Sequence, residues 1–264
     1  MRWCCREGAA GYVSAAKGYT VYTMPTAITH QLLAEEVLAA SDASLRERVA
    51  SLPLYYFGAQ GPDFWFAHGA FSPTDNLGRH LHTRRPLLFF RILAAAGRTD
   101  ADVFSYAAGY LTHYAADTVF HPYVYGMMRK LGRESKYLHH AIEHALDGAL
   151  LRALRGVSLL RARLPKAGDV NVEKLGKIYE TYVRYARATG RDVPARADYF
   201  RALRRYDALN AVRTPFYTKE YALPAEKLFT LAKRESLRLL PRLAAGTPLK
   251  ACDFGRNFLS GEIV

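Results

Sequence analysis

His113, Asp117 and His121 recur every fourth residue in the run YLTHYAADTVFHPY. An α-helix stacks such positions one above another, about one turn or ~5.4 Å apart along the axis. Two imidazoles, or an imidazole and a carboxylate, so placed reach one cation or two adjacent ones. The run HHAIEHALD repeats the spacing at His139 and Glu143. All nine histidines lie between His30 and His144, and the last 120 residues hold none. With Asp63 and His82 upstream, the pattern reads as a multinuclear metal site. His113 and His121 are two turns apart and need not share an ion, whereas Asp117 between them is placed to bridge two. Pro122 follows at once, so the helix is expected to end at His121.

One His four residues from an Asp is more often an ordinary ion pair than a metal site. Here two such pairs fall within about thirty residues, on helices that are otherwise strongly apolar. In GYLTHYAADTVF almost every other residue is small, aromatic or aliphatic, which turns His113 and Asp117 inward. Buried charges of that kind need partners or a metal.

The rest of the chain reads as helix, and the fold class is all-α, a single multi-helix domain. Helical periods run through HQLLAEEVLAA, SLRERVASL, RRPLLFFRILAAA, DADVFSYAAGYLTHYAADTVFH, SKYLHHAIEHALDGALLRAL, VEKLGKIYETYVRYARAT, ADYFRALRRYDALNAV and PAEKLFTLAKRESLRLL. No clear two-residue alternation marks a strand. The stretch from Tyr55 to His82, rich in Gly, Pro and Asn, reads as loop, a suitable lining for an active site around Asp63. Apolar runs are short, and nothing approaches the ~20 residues of a transmembrane segment. Cys4 and Cys5 sit near the start and Cys252 stands alone, so no disulfide framework is expected and the compartment reads as reducing. Cys252 is expected to be a buried structural residue.

The motifs MPTAITHQLL, GPDFWF, GRHLHT, AGYLTHYAADTVFHPY and HHAIEHALD, in that order, resemble the zinc-dependent phospholipase C family, which is related to the single-strand-specific zinc nucleases. The resemblance spans about residues 24 to 150, with a vaguer likeness in the closing NFLSGE. Asp117 and His121 are four apart and end in a D-x-x-x-H-P run, which resembles the cytoplasmic branch rather than the secreted enzymes. The resemblance implies an all-helical phospholipase C or zinc nuclease-like fold, a cytoplasmic location and two to three zinc ions. Its ligands would be His30, Asp63, His82, His113, Asp117, His121, His139 and Glu143. His30 matches the family's early histidine. Asp63 matches the aspartate that binds another zinc and is favoured as general base, with His82 the next ligand. His113 and Asp117 match the H-x-x-x-D pair, whose aspartate bridges. His121, His139 and Glu143 would hold the remaining ion. His80 competes with His82, and His140 with His139, but His82 fits better at four residues from Gly78, as in family relatives, and His139 fits at four residues from Glu143. His68 and His144 take surface or supporting roles, with His144 and Asp147 as partners behind the ligands.

Relatives in that branch begin at a methionine equivalent to Met24. Residues 1 to 23 are therefore expected to be a non-native or disordered extension, with residues 24 to 264 forming the helical domain and Pro25 exposed when Met24 is removed. The formal charge of +13 is carried largely by a C-terminal half that interleaves arginine with tyrosine, as in YETYVRYARATGR. That half reads either as an anionic-lipid or nucleic-acid surface, or as solvated helix faces whose tyrosines pack inward beneath arginine stems. Three functions follow. The first is hydrolysis of a phospholipid-type phosphodiester, with peripheral contact to an anionic membrane. The second is a single-strand nuclease or nucleotidase. The third is a zinc-stapled helical protein without catalysis. Tyr55, Tyr56, Phe57, Phe64, Trp65 and Phe66 would supply an apolar rim in the first, or lie in the core.

Overall fold

In a computed structural model the described residues are 27–68, 77–132, 136–158, 164, 166–210 and 219–264. The proposed extension, Met24 and Pro25 lie outside them. Helices follow one another as α1 (Ala27–Ala40), α2 (Ala43–Arg48), α3 (Leu52–Ala59), α4 (Phe64–His68), α5 (Leu77–Thr83), α6 (Pro86–Ala96) and α7 (Ala101–Lys130). Then come α8 (Lys136–Arg155), α9 (Val172–Ala188), α10 (Arg196–Asn210), α11 (Ala225–Ala244) and α12 (Ala251–Phe254). No strand occurs among the described residues; a single isolated bridge joins Arg256 to Ile263. The fold is all-α, with one continuous hydrophobic core from Ile28 to Phe258.

The core is organised by α7. Asp100 caps it by accepting hydrogen bonds from the amides of Asp102 and Val103, at 2.9 and 3.3 Å. Every residue from Val103 to Thr118 is buried, so this helix has no solvent face and no amphipathic stripe. α3 and α11 pack on it most extensively, with α1, α6, α8 and α9 around them.

The α3–α7 crossing is tight because glycines meet there. A Cβ on Gly109 would stand 1.8 Å from the Tyr55 carbonyl oxygen, and one on Gly58 would stand 2.2 Å from that of Tyr106. This corrects the loop expected from Tyr55 to His82, whose described part contains the end of α3 and all of α4 and α5. Gly58 sits inside a helix as a packing residue and breaks nothing. LPLYYFGA shows no helical period because its open side, Leu52, Pro53 and Tyr56, is as apolar as its buried one. The helix expected to stop at His121 likewise continues through Pro122 to Lys130. Proline removes one amide donor at a cost of about 3 kcal/mol, but Val124 and Met128 beyond it are buried in the core, and their packing outweighs that loss.

Aromatic side chains tie the C-terminal helices to this centre. Tyr182 of α9 stacks on Phe89 with centroids 4.9 Å apart, and its hydroxyl meets that of Tyr106. Tyr199 of α10 lies against Phe64 and Trp65 at 5.5 and 5.7 Å. Tyr179, Tyr182, Tyr185, Tyr199 and Tyr206 are all buried, so the tyrosines between the arginines pack inward. Tyr55, Phe57, Phe64 and Trp65 are core residues too, which removes them as an apolar rim; only Tyr56 and Phe66 are partly open. Cys252 is exposed, contrary to expectation, because α12 is a single turn with Asp253 and Phe254 as its buried pair.

The packing generates a contrast within one helix. Gly109→Ala is expected to lower the free energy of urea unfolding by about 3 kcal/mol, since backbone rather than side chain blocks the new methyl. Gly126→Ala, with nothing within 4 Å of its Cβ position, is expected to raise it by about 0.5–1 kcal/mol.

Candidate metal centre

Local devices hold several of the candidate ligands. His30 lies in the first turn of α1, where Asp147 of α8 takes the place of a capping residue. Its Oδ1 accepts from the Thr29 amide at 2.9 Å and from the Thr29 hydroxyl at 2.6 Å. Asp63 follows Gly61 and Pro62 in the link between α3 and α4. Gly61 has φ +61°, and a Cβ there would fall 2.2–2.4 Å from the His113 ring, so this turn admits glycine only. His82 of α5 donates from Nδ1 to the Gly78 carbonyl at 2.7 Å, which fixes the tautomer that leaves Nε2 free to coordinate. His121 is held in the same way, its Nδ1 lying 3.1 Å from the Phe258 carbonyl.

These devices bring the side chains to one place. Asp117 is the hub. Its Oδ1 is 3.3 Å from His30 Nε2, and its Oδ2 is 3.3 Å from His82 Nε2, 3.2 Å from His113 Nε2 and 3.7 Å from His121 Nδ1. Asp63 Oδ1 stands 3.0 Å from His82 Nε2 and 3.6 Å from His113 Nε2. Glu143 Oε1 stands 2.9 Å from His139 Nε2 and 3.3 Å from His121 Nε2. Three sets have ligand atoms within 4.8 Å of one another: His30, His113 and Asp117; Asp63, His82 and His113; and His121, His139 and Glu143.

Of the competing pairs, the structure brings His82 and His139 into these sets. His80 instead meets the Tyr185 hydroxyl through Nδ1 at 3.0 Å, and His140 lies 3.7 Å from the outer oxygen of Glu143. His68 packs on Trp65 at 5.9 Å, away from the cluster.

The chemistry of the set fits zinc. His30 Nδ1, both nitrogens of His113, Asp63 Oδ1, Asp117 Oδ2 and Glu143 Oε2 are buried without a hydrogen-bond partner. Buried polar atoms are rarely left so. Here several donor atoms point at shared positions rather than in hydrogen-bonding directions at one another. Imidazole nitrogens and carboxylate oxygens are the ligands zinc takes.

Without metal, the cluster balances its own charge. Burial opposes the charged form of Asp117, but the His113 and His121 imidazoles hold it well below the usual carboxylate range. Burial likewise opposes Glu143, and His139 and His121 outweigh it. For His82 burial pulls the pKa down, while the Asp117 and Asp63 carboxylates beside it carry it up to about 10. His121 rises to about 9 against burial, through Asp117 and Glu143. His113 is lowered, its burial winning over Asp117.

A family model described as zinc dependent phospholipase C matches residues 29–191. The chain belongs to the zinc-dependent phospholipase C family. No curated protein and no solved structure matches it. The family match reaches 41 residues past Leu150, through the whole of α9, although only the motifs up to α8 carry a readable resemblance.

One contributor to the site had no readable signal. Phe258 donates its amide to the His82 carbonyl at 2.8 Å. Its ring packs on His82 and His113 at 5.0 and 5.8 Å, and its carbonyl faces His121. Its position in the closing NFLSGE was the only hint, since a backbone carbonyl acting across 137 residues leaves no mark on residue type.

A zinc ligand must present a neutral nitrogen, so His82 and His121 must each give up a proton when metal enters. Calorimetric zinc titration of metal-free protein near neutral pH, in buffers of differing ionisation enthalpy, is expected to show at least two protons released per chain, with His30, raised against burial by Asp117, adding to them. In the metal-free chain the contribution of the His82 and His121 imidazoliums to stability is complete below their ordinary pKa of 6.5 and is lost as pH rises through about 9 and 10. Its melting temperature is therefore expected to fall over that alkaline range.

Proposed function

We propose that this chain is a phosphodiester hydrolase of the phospholipase C type. In this reading its substrate is a phospholipid-type phosphodiester, and two to three zinc ions are held by His30, Asp63, His82, His113, Asp117, His121, His139 and Glu143. The observation that carries the reading is the convergence of three ligand sets on a chain of this family, with Asp117 reaching towards all three. Zinc in such a set polarises phosphoryl oxygens and lowers the pKa of bound water towards ~7.

The chain's own residues then have distinct tasks. Asp117 and the histidines around it hold the charge pattern rigid. Asp63, the most loop-borne of the carboxylates, orients the attacking water and takes its proton. Gly61 and Phe258 keep His113 and His82 in register with Asp63. Water attacks phosphorus, the P–O bond to the glycerol oxygen breaks, and that oxygen leaves protonated. The products are a diacylglycerol and a phosphorylated headgroup.

The inward packing of the α9 and α10 tyrosines leaves those rings unavailable to stack bases and supports lipid over single-stranded nucleic acid. No helix among the described residues is long and apolar enough to cross a membrane, so contact with lipid would be peripheral, through the basic surface. The absence of a disulfide framework supports work in a reducing, cytoplasmic compartment.

Elemental analysis of protein purified without chelator is expected to find two to three zinc ions per chain; one ion or none after zinc is offered would overturn the reading. Asp63→Asn is expected to cut kcat on phosphatidylcholine micelles by roughly 10²–10⁴-fold with an unchanged fold by circular dichroism. Cleavage of single-stranded DNA at a higher kcat/KM than phosphatidylcholine would favour the nuclease instead.

A further inference from the structure

Beside the metal cluster, on the other side of α5, lies an open cleft of about 600 Å³ lined by Arg79, His80, Thr83, Arg84, Arg191, Asn257 and Val264. No Asp, Glu, Phe, Tyr or Trp side chain lines it among the described residues. Three separate backbone devices aim its basic residues. Arg79 and His80 lie on α5, three and two positions ahead of the ligand His82. Arg84 sits in the two-residue junction between α5 and α6, where Arg85 adopts φ 47° and is the one non-glycine residue with positive φ among those described. A left-handed arginine costs about 1 kcal/mol or more and persists only when its surroundings require it. The Tyr185 hydroxyl fixes this junction by donating to the Arg84 carbonyl at 2.7 Å.

Arg191 comes from the far end of α9. Gly190 ends that helix with φ +67°, and the Arg191 amide returns to the Ala186 carbonyl at 2.9 Å, a closure that sets the residue after the glycine. Asn257 adjoins Phe258, which packs on His82.

The cleft and the metal cluster share α5, which carries Arg79, His80 and the ligand His82. The Arg79 guanidinium acts on the Tyr125 phenol, and the Tyr125 ring lies 5.1 Å from that of His139 and 5.8 Å from that of His121.

We propose that this cleft is a subsite for a second phosphate on the substrate: the enzyme prefers a phospholipid whose headgroup carries a phosphomonoester beyond the diester that is cut. Guanidinium groups suit phosphate because they present several donors in a planar fork. The lack of aromatic lining disfavours a polynucleotide, which binds by stacking as well as by charge. The proposal rests on the phosphodiesterase reading for the reaction, but binding in the cleft is testable without it.

The test compares the zinc-loaded full chain with an Arg84→Gln/Arg191→Gln double variant. A charge-matched control, Arg204→Gln/Arg205→Gln, removes two exposed arginines of α10. Calorimetry with inositol trisphosphate, inorganic phosphate and a short oligothymidylate reads binding. Hydrolysis of short-chain phosphatidylinositol phosphate against short-chain phosphatidylcholine reads selectivity.

Inositol trisphosphate is expected to bind about ten-fold or more weakly to the double variant, as loss of charge-assisted hydrogen bonds implies, and to bind the control like the parent. The kcat/KM for the phosphorylated lipid should fall by a similar factor, while that for phosphatidylcholine stays within about two-fold. Equal headgroup binding by parent and double variant would overturn the proposal. So would equal losses on both lipids, inorganic phosphate binding as tightly as the headgroup, or oligothymidylate as the tightest ligand lost in the variant. If the parent cleaves neither lipid, the hydrolase reading fails and the subsite is judged by the calorimetry alone. A double variant with altered circular dichroism is replaced by the single Arg84→Gln, whose exposed side chain leaves the core untouched, and the same outcomes decide.

Discussion

One carboxylate, Asp117, buried among four imidazoles, sets the terms for the rest of this molecule. A buried anion without compensation costs several kcal/mol, so the fold must deliver His30, His82, His113 and His121 to the same point from three helices. Two of these come free with the helical repeat of α7. The other two require α1 and α5 to end at defined positions, and most of the unusual features of the chain serve that requirement. Asp147 fixes the first turn of α1, and the Gly78 carbonyl fixes the ring of His82. A glycine at 61 leaves room for His113.

The same demand explains why α7 is enclosed on all sides. A helix carrying ionisable groups inward must be walled by other helices if water is to be excluded, and here α1, α3, α6, α8, α9 and α11 provide the wall. The α3 crossing is so close that Gly58 and Gly109 each abut the backbone of the other helix, which brings the Gly61–Asp63 turn directly over His113. α7 also runs on past Pro122 because Val124 and Met128 are needed in the core, and His121 thereby keeps its place one turn beyond Asp117.

Charge is distributed unevenly around this centre. Within the cluster, carboxylates and imidazoles balance; outside it, arginines predominate, and three of them converge on the cleft formed by α5, the end of α9 and the segment before Phe258. α5 is the shared element, with His82 turned into the cluster and Arg79 and His80 turned to the cleft. A seven-residue helix thus carries residues of both the cluster and the cleft, and Arg85 follows it with φ 47°. The family match ends at Arg191, within that cleft.

The H-x-x-x-D-x-x-x-H and H-x-x-x-E elements were legible from sequence because a helix converts spacing into proximity without help from the rest of the chain. The all-helical fold was legible for the same reason, from the apolar periods of α1, α6 and α8 to α11. Motif order made Asp63 and His82 candidates. The α3 to α5 region was misread as loop because Gly and Pro are scattered through it and the open side of α3 is itself apolar, and the stop at Pro122 failed because packing overrides a local penalty. Spacing from Gly78 and from Glu143 already favoured His82 over His80 and His139 over His140, whereas the role of Phe258 and the gathering of Arg79, Arg84 and Arg191 were decided only by the tertiary structure. Each depends on contacts between segments far apart in the chain, and residue type at one position does not encode the neighbour that the fold will bring to it.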